Sequence, residues 1–173
     1  MAFNFIELDK TNLPKTKGMR VDGHRFYNIN GTNYPSVTTV LGIRKTEQLK
    51  EWREKIGEKV ANWEMGRAAR RGKSFHTLVE QYLKGETPSI RDVLPLGLFK
   101  LMKPYIDQIN NIHLLEAIMY SPKLTIAGQV DCVAEYNGKL SVIDFKTANK
   151  ERQESWIENY FLQTTAYAHM YEE

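Results

Sequence analysis

The sequence predicts an α/β (α+β) fold. An antiparallel-rich sheet of three or more strands is flanked by helices, with a hairpin and a helical extension on the N-terminal side. Three observations carry this expectation. Apolar spacing changes from a helical period to strand-like runs at His113. Asn137-Gly138 separates two of those runs, which is the signal of a two-residue hairpin turn. A helical period then returns in "SWIENYFLQTTAYAHMY" at the end of the chain. The order is helices, three-strand meander, helix, as in helices packed on an antiparallel sheet. A chain of 173 residues suits one domain with a real core. It divides into a hairpin region (1–45), a helical region (46–111) and a C-terminal core (112–173).

The elements follow in order. His24 to Pro35 has strand formers around Asn30-Gly31 and reads as a short hairpin. "SVTTVLGI" follows, with Ser36 as its helix cap. From Thr46 to Trp63 the spacing of Leu49, Trp52, Ile56, Val60 and Trp63 predicts an amphipathic helix, weakened or interrupted by Gly57 and Gly66. A second helix is expected from Gly66 to Leu83, with Phe75, Leu78, Val79 and Tyr82 facing inward and Gly85 just past its end. Between Pro88 and Asn111 the spacing is again helical, with Pro95 and Pro104 breaking or capping it. "HLLEAIMYS", "LTIAGQVDCVAEY" and "KLSVIDFKT" read as three consecutive strands. In the last helix Trp156, Ile157, Tyr160, Phe161, Thr164 and Tyr167 are the expected apolar face.

Composition narrows the class of function. Apolar residues make up 42% of the chain, a globular share. The net charge of +3 is ordinary and by itself points to no partner. Cys132 is the single cysteine, so an intrachain disulfide is impossible and a cysteine-based zinc or iron–sulfur site is not expected. "MAFNFIELDKTN" lacks the features of a secretory signal or a mitochondrial transit peptide, and no run approaches the ~18 apolar residues of a membrane span.

The chemistry concentrates in "GQVDCVAEYNGKLSVIDFKT", Gly128 to Thr147. Counting outward from the Asn137-Gly138 turn, Tyr136 pairs with Lys139 and Asp131 comes to oppose Asp144. Facing carboxylates destabilise a sheet and raise one another's pKa. A cation between them removes both problems. Lys146 lies on the same face as Asp144, about 7 Å along the strand. Two acidic ligands and an ammonium on one face describe a divalent-metal site with a cationic helper; the alternative is a Lys–Asp salt bridge on a solvated face.

Three further groups qualify. His76 lies on a helix with Glu80 one turn later, either a metal ligand with a supporting carboxylate or an ordinary bonded pair. Gln163 and Tyr167 share one face of the last helix, placed to hold metal ligands or phosphate, or simply forming a helix edge. Arg44 to Lys73 holds ten basic against five acidic residues, with Trp52 and Trp63 among them. That mix suits single-stranded nucleic acid, or a solvated helix with pairs such as Glu51–Lys55.

"GQVD", "IDFKT" and "QTTAY", preceded by "YPSVTTVL", "LKEWREKIG" and "RRGKSFHTLVEQYL", resemble the RecB-type branch of the PD-(D/E)XK nuclease superfamily, with its exonucleases of mitochondrial, phage and bacterial origin. The resemblance runs from about Phe26 to Tyr171 and implies a restriction-endonuclease-like core. It implies that His76, Asp131, Asp144 and the Phe145 carbonyl hold the metal, Mg²⁺ or Mn²⁺, and that Lys146 is the catalytic lysine. Gln163 and Tyr167 match the motif beside the DNA, and Ser36 and Thr38 a stretch near a phosphate. Arg70 and Arg71 are expected on the approach of the strand, with Trp52 as a stacking candidate. Glu116 corresponds to an acidic position in some relatives and, with Glu80, is expected only to support the ligands. The implied function is a single-strand-preferring DNA exonuclease in a bacterial or phage-infected cytoplasm; an endonuclease or a binding module without cleavage are the alternatives. The four cluster-forming cysteines of some relatives are absent. The family core ends on a further strand after the Gln-Tyr helix, whereas this sequence stops at Glu173, so the expectation is either a shortened sequence or a sheet edge left open or completed by another chain. Oligomeric state is not legible.

Overall fold

A computed structural model describes residues 3–89, 92–149 and 154–173. Among them are two three-stranded antiparallel sheets and five helices. The first sheet is β1 (Gly18–Val21), β2 (His24–Ile29) and β3 (Thr32–Pro35). Its second turn falls at Asn30-Gly31, as expected, with φ of 51° and 84°. Strand β1 was not expected: all four of its residues are exposed, so it has no apolar alternation to reveal it.

Ser36 caps α1 (Val37–Ile43) by accepting a hydrogen bond from Thr39 N at 3.0 Å. Helix α2 (Thr46–Ile56) ends at Gly57, whose φ of 84° suits glycine alone. Helix α3 (Glu58–Leu83) then runs straight through Gly66. The expected boundary at Gly66 is therefore corrected to Gly57, because a helical glycine costs only about 1 kcal/mol while a left-handed φ ends the helix. Another correction concerns the apolar face of this region. No residue of α2 is buried, and Leu49, Val60 and Trp63 are exposed. In the first half of α3 only Ala61 is buried, so this arm of the helical region extends beyond the core.

Helix α4 (Val93–Ile106) holds Pro95 in its first turn and Pro104 in its last, and neither breaks it. Residues 90–91, within the stretch read as helical from Pro88, lie outside the described residues. The second sheet is β4 (Ile109–Ser121), β5 (Ile126–Tyr136) and β6 (Lys139–Ile143), in that order. Tyr136 pairs with Lys139 and Cys132 with Ile143, the register counted from the turn, where Asn137 and Gly138 both have positive φ. The third strand stops at Ile143 rather than continuing to Thr147, because the Phe145 N–H leaves the ladder for the Asp131 carboxylate at 2.7 Å.

The β4–β5–β6 sheet is covered on both sides. Phe75, Leu78, Val79 and Leu83 of α3 and Phe99 and Ile106 of α4 meet Ile112 and Cys132 in one cluster. Val37 of α1 and Tyr167 and Met170 of α5 (Glu154–Glu172) meet Leu114, Val130 and Val133 in the other. The inward stripe of α5 is thus Gln163, Tyr167 and Met170. Phe161, expected to face inward, is 60% exposed, and the Trp156 side chain lies outside the described residues. The stripe is misphased in the sequence because its first member is a glutamine that a reading by hydropathy passes over.

Candidate metal centre

Three carboxylates stand abreast across the second sheet. Leu115 pairs with Cys132 and Ala117 with Val130, so Glu116 on β4 faces Asp131 on β5. Asp144 follows Ile143, the partner of Cys132, and so continues the same row on the far side of Asp131. Glu116 has a φ of 50°, a left-handed conformation within a strand. Strain of this kind persists only where the surroundings impose it.

His76, on the buried half of α3, reaches this row from one side. Its Nε2 bonds the Phe145 carbonyl at 2.7 Å, which assigns the proton of that nitrogen to the donor role. Its Nδ1 lies 3.5 Å from Asp131 Oδ1 and 3.8 Å from Glu116 Oε1. One ligand atom each from His76, Glu116 and Asp131 falls within 4.8 Å of the others. A neutral imidazole so oriented would aim a lone pair at two carboxylates, so positive charge has to lie among them. A proton or a metal ion satisfies that demand. Burial pushes Asp131 up to about 6, and the Asp144 charge adds to this against the opposing pull of His76, the Phe145 N–H and Lys146. Burial alone would lower His76; the hydrogen bond to Glu116, the Asp131 charge and the Phe145 carbonyl together hold it above its ordinary value. A histidine nitrogen with two carboxylates fits a divalent ion, and the Nε2–H donated to a carbonyl is the bond that orients a ligating imidazole.

The geometry differs from the expected ligand set in two places. Glu116, expected only in support, stands in the cluster, while Asp144 stands beside it. Gln163 Nε2 donates to Asp144 Oδ1 at 3.0 Å, and Lys146 forms an ion pair with Asp144 Oδ2. That oxygen is buried and accepts no directed hydrogen bond. The Phe145 carbonyl is bonded to His76. The Lys146 ammonium also lies 5.5 Å from the Tyr160 ring centre, so a carboxylate and an aromatic face hold it beside the row.

The other expected residues are distributed around this centre. Glu80 bonds Lys84 at 2.6 Å rather than His76. Ser36 is buried, its Oγ 3.1 Å from Thr38 Oγ1, and it bridges to Ala127 of β5. Arg71 is buried, its guanidinium bonded to Thr147 and Asn149, whereas Arg70 is exposed. Trp52 is half-buried on α2. Burial takes the Cys132 thiol up to about 12, so it plays no part as a nucleophile.

One residue the sequence reading passed over is Gly128. A Cβ there would lie 2.5 Å from Tyr167 Cε1 and 2.8 Å from its hydroxyl. The tyrosine ring occupies the space a side chain would fill, and Gln163 packs beside it at 3.4 Å from that hydroxyl. Gly128→Ala is expected to cost about 1–3 kcal/mol through overpacking and to loosen Gln163 from Asp144. Thermal unfolding together with metal titration checks this; a variant melting and binding metal like wild type would contradict it.

Asp131 on β5, Asp144 and Lys146 just past the end of β6, and His76 from the flanking α3 thus gather on an antiparallel core, the arrangement of a candidate metal-dependent nuclease site. The chain matches the model of the PD-(D/E)XK nuclease superfamily over residues 38–173 and belongs to that superfamily. It is 33% identical over 147 residues to human "Mitochondrial genome maintenance exonuclease 1", a match spanning 77% of this chain and 42% of that protein. The mouse protein of that name is 31% identical over 128 residues, 68% of this chain and 38% of its own length. The Xenopus tropicalis protein is 31% identical over 137 residues, 71% of this chain and 38% of its own. The chain thus spans about two fifths of the length of the curated relatives it matches. No helix among the described residues is long and apolar enough to cross a membrane.

Proposed function

We propose that the protein is a divalent-metal-dependent DNA exonuclease that prefers single strands and uses Mg²⁺ or Mn²⁺. The observation that carries this reading is the convergence of His76 Nδ1, Glu116 and Asp131 beside Lys146. His76, Asp131 and Glu116 hold the ion, with Asp144 next in the row. A bound ion supplies Lewis-acid polarisation of the scissile phosphate and a nucleophilic water at neutral pH. Lys146 offsets the charge that develops on the phosphate and orients the attacking water. Gln163 fixes the Asp144 carboxylate, and so the position of the lysine paired with it. Products carrying 5′-phosphate and 3′-hydroxyl ends are expected, as the superfamily resemblance implies.

The arm formed by α2 and the first half of α3 supports a path for a single strand. It buries almost nothing, carries six basic residues against five acidic over 46–70, and presents Trp63 with Arg67 stacked 5.2 Å from its ring centre. Exposed cations interleaved with rings suit phosphates and unpaired bases. Arg70 is exposed toward solvent on the same helix, while the buried Arg71 serves to tie α3 to the segment after β6.

End-labelled linear and circular single strands, incubated with Mg²⁺, Mn²⁺ or EDTA, test the reading. Cleavage of the linear strand alone, dependent on metal, is the expected result. Cleavage of the circle would make the protein an endonuclease of the same superfamily. No metal-dependent cleavage of either strand would overturn the reading.

A further inference from the structure

A second concave surface lies between the N-terminal hairpin and α1. It is a cleft of about 340 Å³ lined by Arg20, His24, Arg25, Thr38, Thr39 and Thr46, among others. No carboxylate is among its lining residues. Arg20 and Arg25 are direct cross-strand partners in the β1–β2 ladder. Like charges directly opposite one another destabilise a sheet. Arg20 donates from Nη1 to the Gly23 carbonyl at 3.0 Å, and neither guanidinium forms an ion pair among the described residues. Asp22, the nearest acidic residue in sequence, sits in the turn and does not line the cleft. An anion seated between the two guanidinium groups would remove the repulsion, much as a cation would among the carboxylates of the metal centre.

The cleft is tied to the strand that carries Asp131. The Arg25 carbonyl accepts from Ser36 N at 2.8 Å, and Arg25 N donates to Thr39 Oγ1 at 3.0 Å, so the hairpin and α1 move as one. Ser36 in turn bridges to Ala127, four residues before Asp131 and thus about 13 Å along β5. None of His76, Glu116 and Asp131 lines the cleft, so an anion there is not the one held between the candidate metal ligands.

We propose that this cleft is a non-catalytic phosphate subsite. Arg20 and Arg25, with the Thr38 hydroxyl, grip a backbone phosphate of the substrate strand away from the bond that is cut. The inference rests on the exonuclease reading and adds to it the length of strand the protein holds. Short strands occupy the metal centre alone, and longer ones also fill the cleft.

The test measures strand binding in EDTA, where nothing is cut, by fluorescence anisotropy over a range of salt. Strands of about 4 and about 16 nucleotides bracket the sizes seen for single-strand sites. The double variant Arg20→Gln with Arg25→Gln is expected to bind the long strand several-fold more weakly. Its salt slope should fall by about 0.7, the contribution of the one single-strand phosphate contact that is lost. Binding of the short strand, and its metal-dependent cleavage, should be unchanged. Each single variant should weaken long-strand binding in the same direction and lower the slope by less than the double variant does, which keeps the test available if the double variant does not fold. Long strands with a 5′-phosphate or a 5′-hydroxyl distinguish an internal from a terminal phosphate: equal losses mean an internal one, and a loss confined to the phosphorylated strand overturns the backbone assignment. Unchanged long-strand affinity and slope overturn the subsite altogether. Wild type that cuts no strand with any metal would instead defeat the nuclease reading, a separate outcome.

Discussion

Lys146→Ala is expected to lose about 10²–10³ in the single-turnover rate of cleavage, the scale set by removing one preorganised group that stabilises transition-state charge. Strand affinity should change little. The ammonium is already neutralised by Asp144 and steadied by the Tyr160 ring, so in the resting protein it is not a free phosphate anchor. In the proposed reaction it offers a positive charge where negative charge grows, and such an interaction appears in the rate rather than in ground-state binding. Single-turnover kinetics on an end-labelled strand, with anisotropy in EDTA on the same strand, separate the two. Wild-type turnover in the variant would remove Lys146 from the chemistry. A loss confined to affinity would make it a binding residue.

Asp131→Asn is expected to change the pH dependence of stability as well as metal binding. In the metal-free protein the Asp131 carboxyl holds its proton up to about pH 6, against an ordinary value of 3.8. The folded state therefore binds more protons than the unfolded one across that window, and stability falls as pH rises through it. A shift of this size corresponds to about 3 kcal/mol at neutral pH. His76, raised above its ordinary value, adds in the same direction at higher pH: its contribution is present while the ring is protonated and is lost as pH rises through its folded value. A divalent ion replaces the missing positive charge and reverses the loss. Thermal melts at pH 5 and pH 8, in EDTA and in Mn²⁺, check this. Wild type should be destabilised at pH 8 in EDTA and recover with metal, while Asp131→Asn should show a flatter profile and little recovery. Parallel profiles for the two proteins would show that the burial of Asp131 carries no such penalty.

How much of this was legible in the sequence depended on the turns. Asn137-Gly138 admits one compact turn, and from it the register of β5 and β6 follows by counting, so Asp131, Asp144 and Lys146 came together without a structure. The other side of Asp131 was not legible in that way. Residues 122–125 join β4 to β5, and Thr125 takes a φ of 54° that no Asn-Gly or Asp-Gly pair announces. Without that register Glu116 remained a supporting residue instead of one opposite Asp131. The helices failed for a different reason. Periodicity reports where apolar residues fall on a helix, not whether anything covers them. The spacing of Leu49, Val60 and Trp63 was real, yet the arm carrying them leaves the sheet and they stay exposed. On α5 the inward stripe contains Gln163 because that residue has a carboxylate to hold, which hydropathy cannot see.

Phe145 contributes to the candidate metal centre through its main chain. Its N–H is given to Asp131 and its carbonyl receives His76, so one residue's backbone gauges the separation of two candidate ligands that arise from different elements. The ring packs edge-on against both Phe75 and His76 and joins the cluster beneath α3. Inheritance at this position is therefore split. Any residue with an amide proton can preserve the gauge, and only the fit of the side chain among its apolar neighbours filters which ones survive. Proline alone is barred on chemical grounds, because it has no proton to give. The spacing of the candidate ligands is stored in a part of the chain that mutation does not readily rewrite.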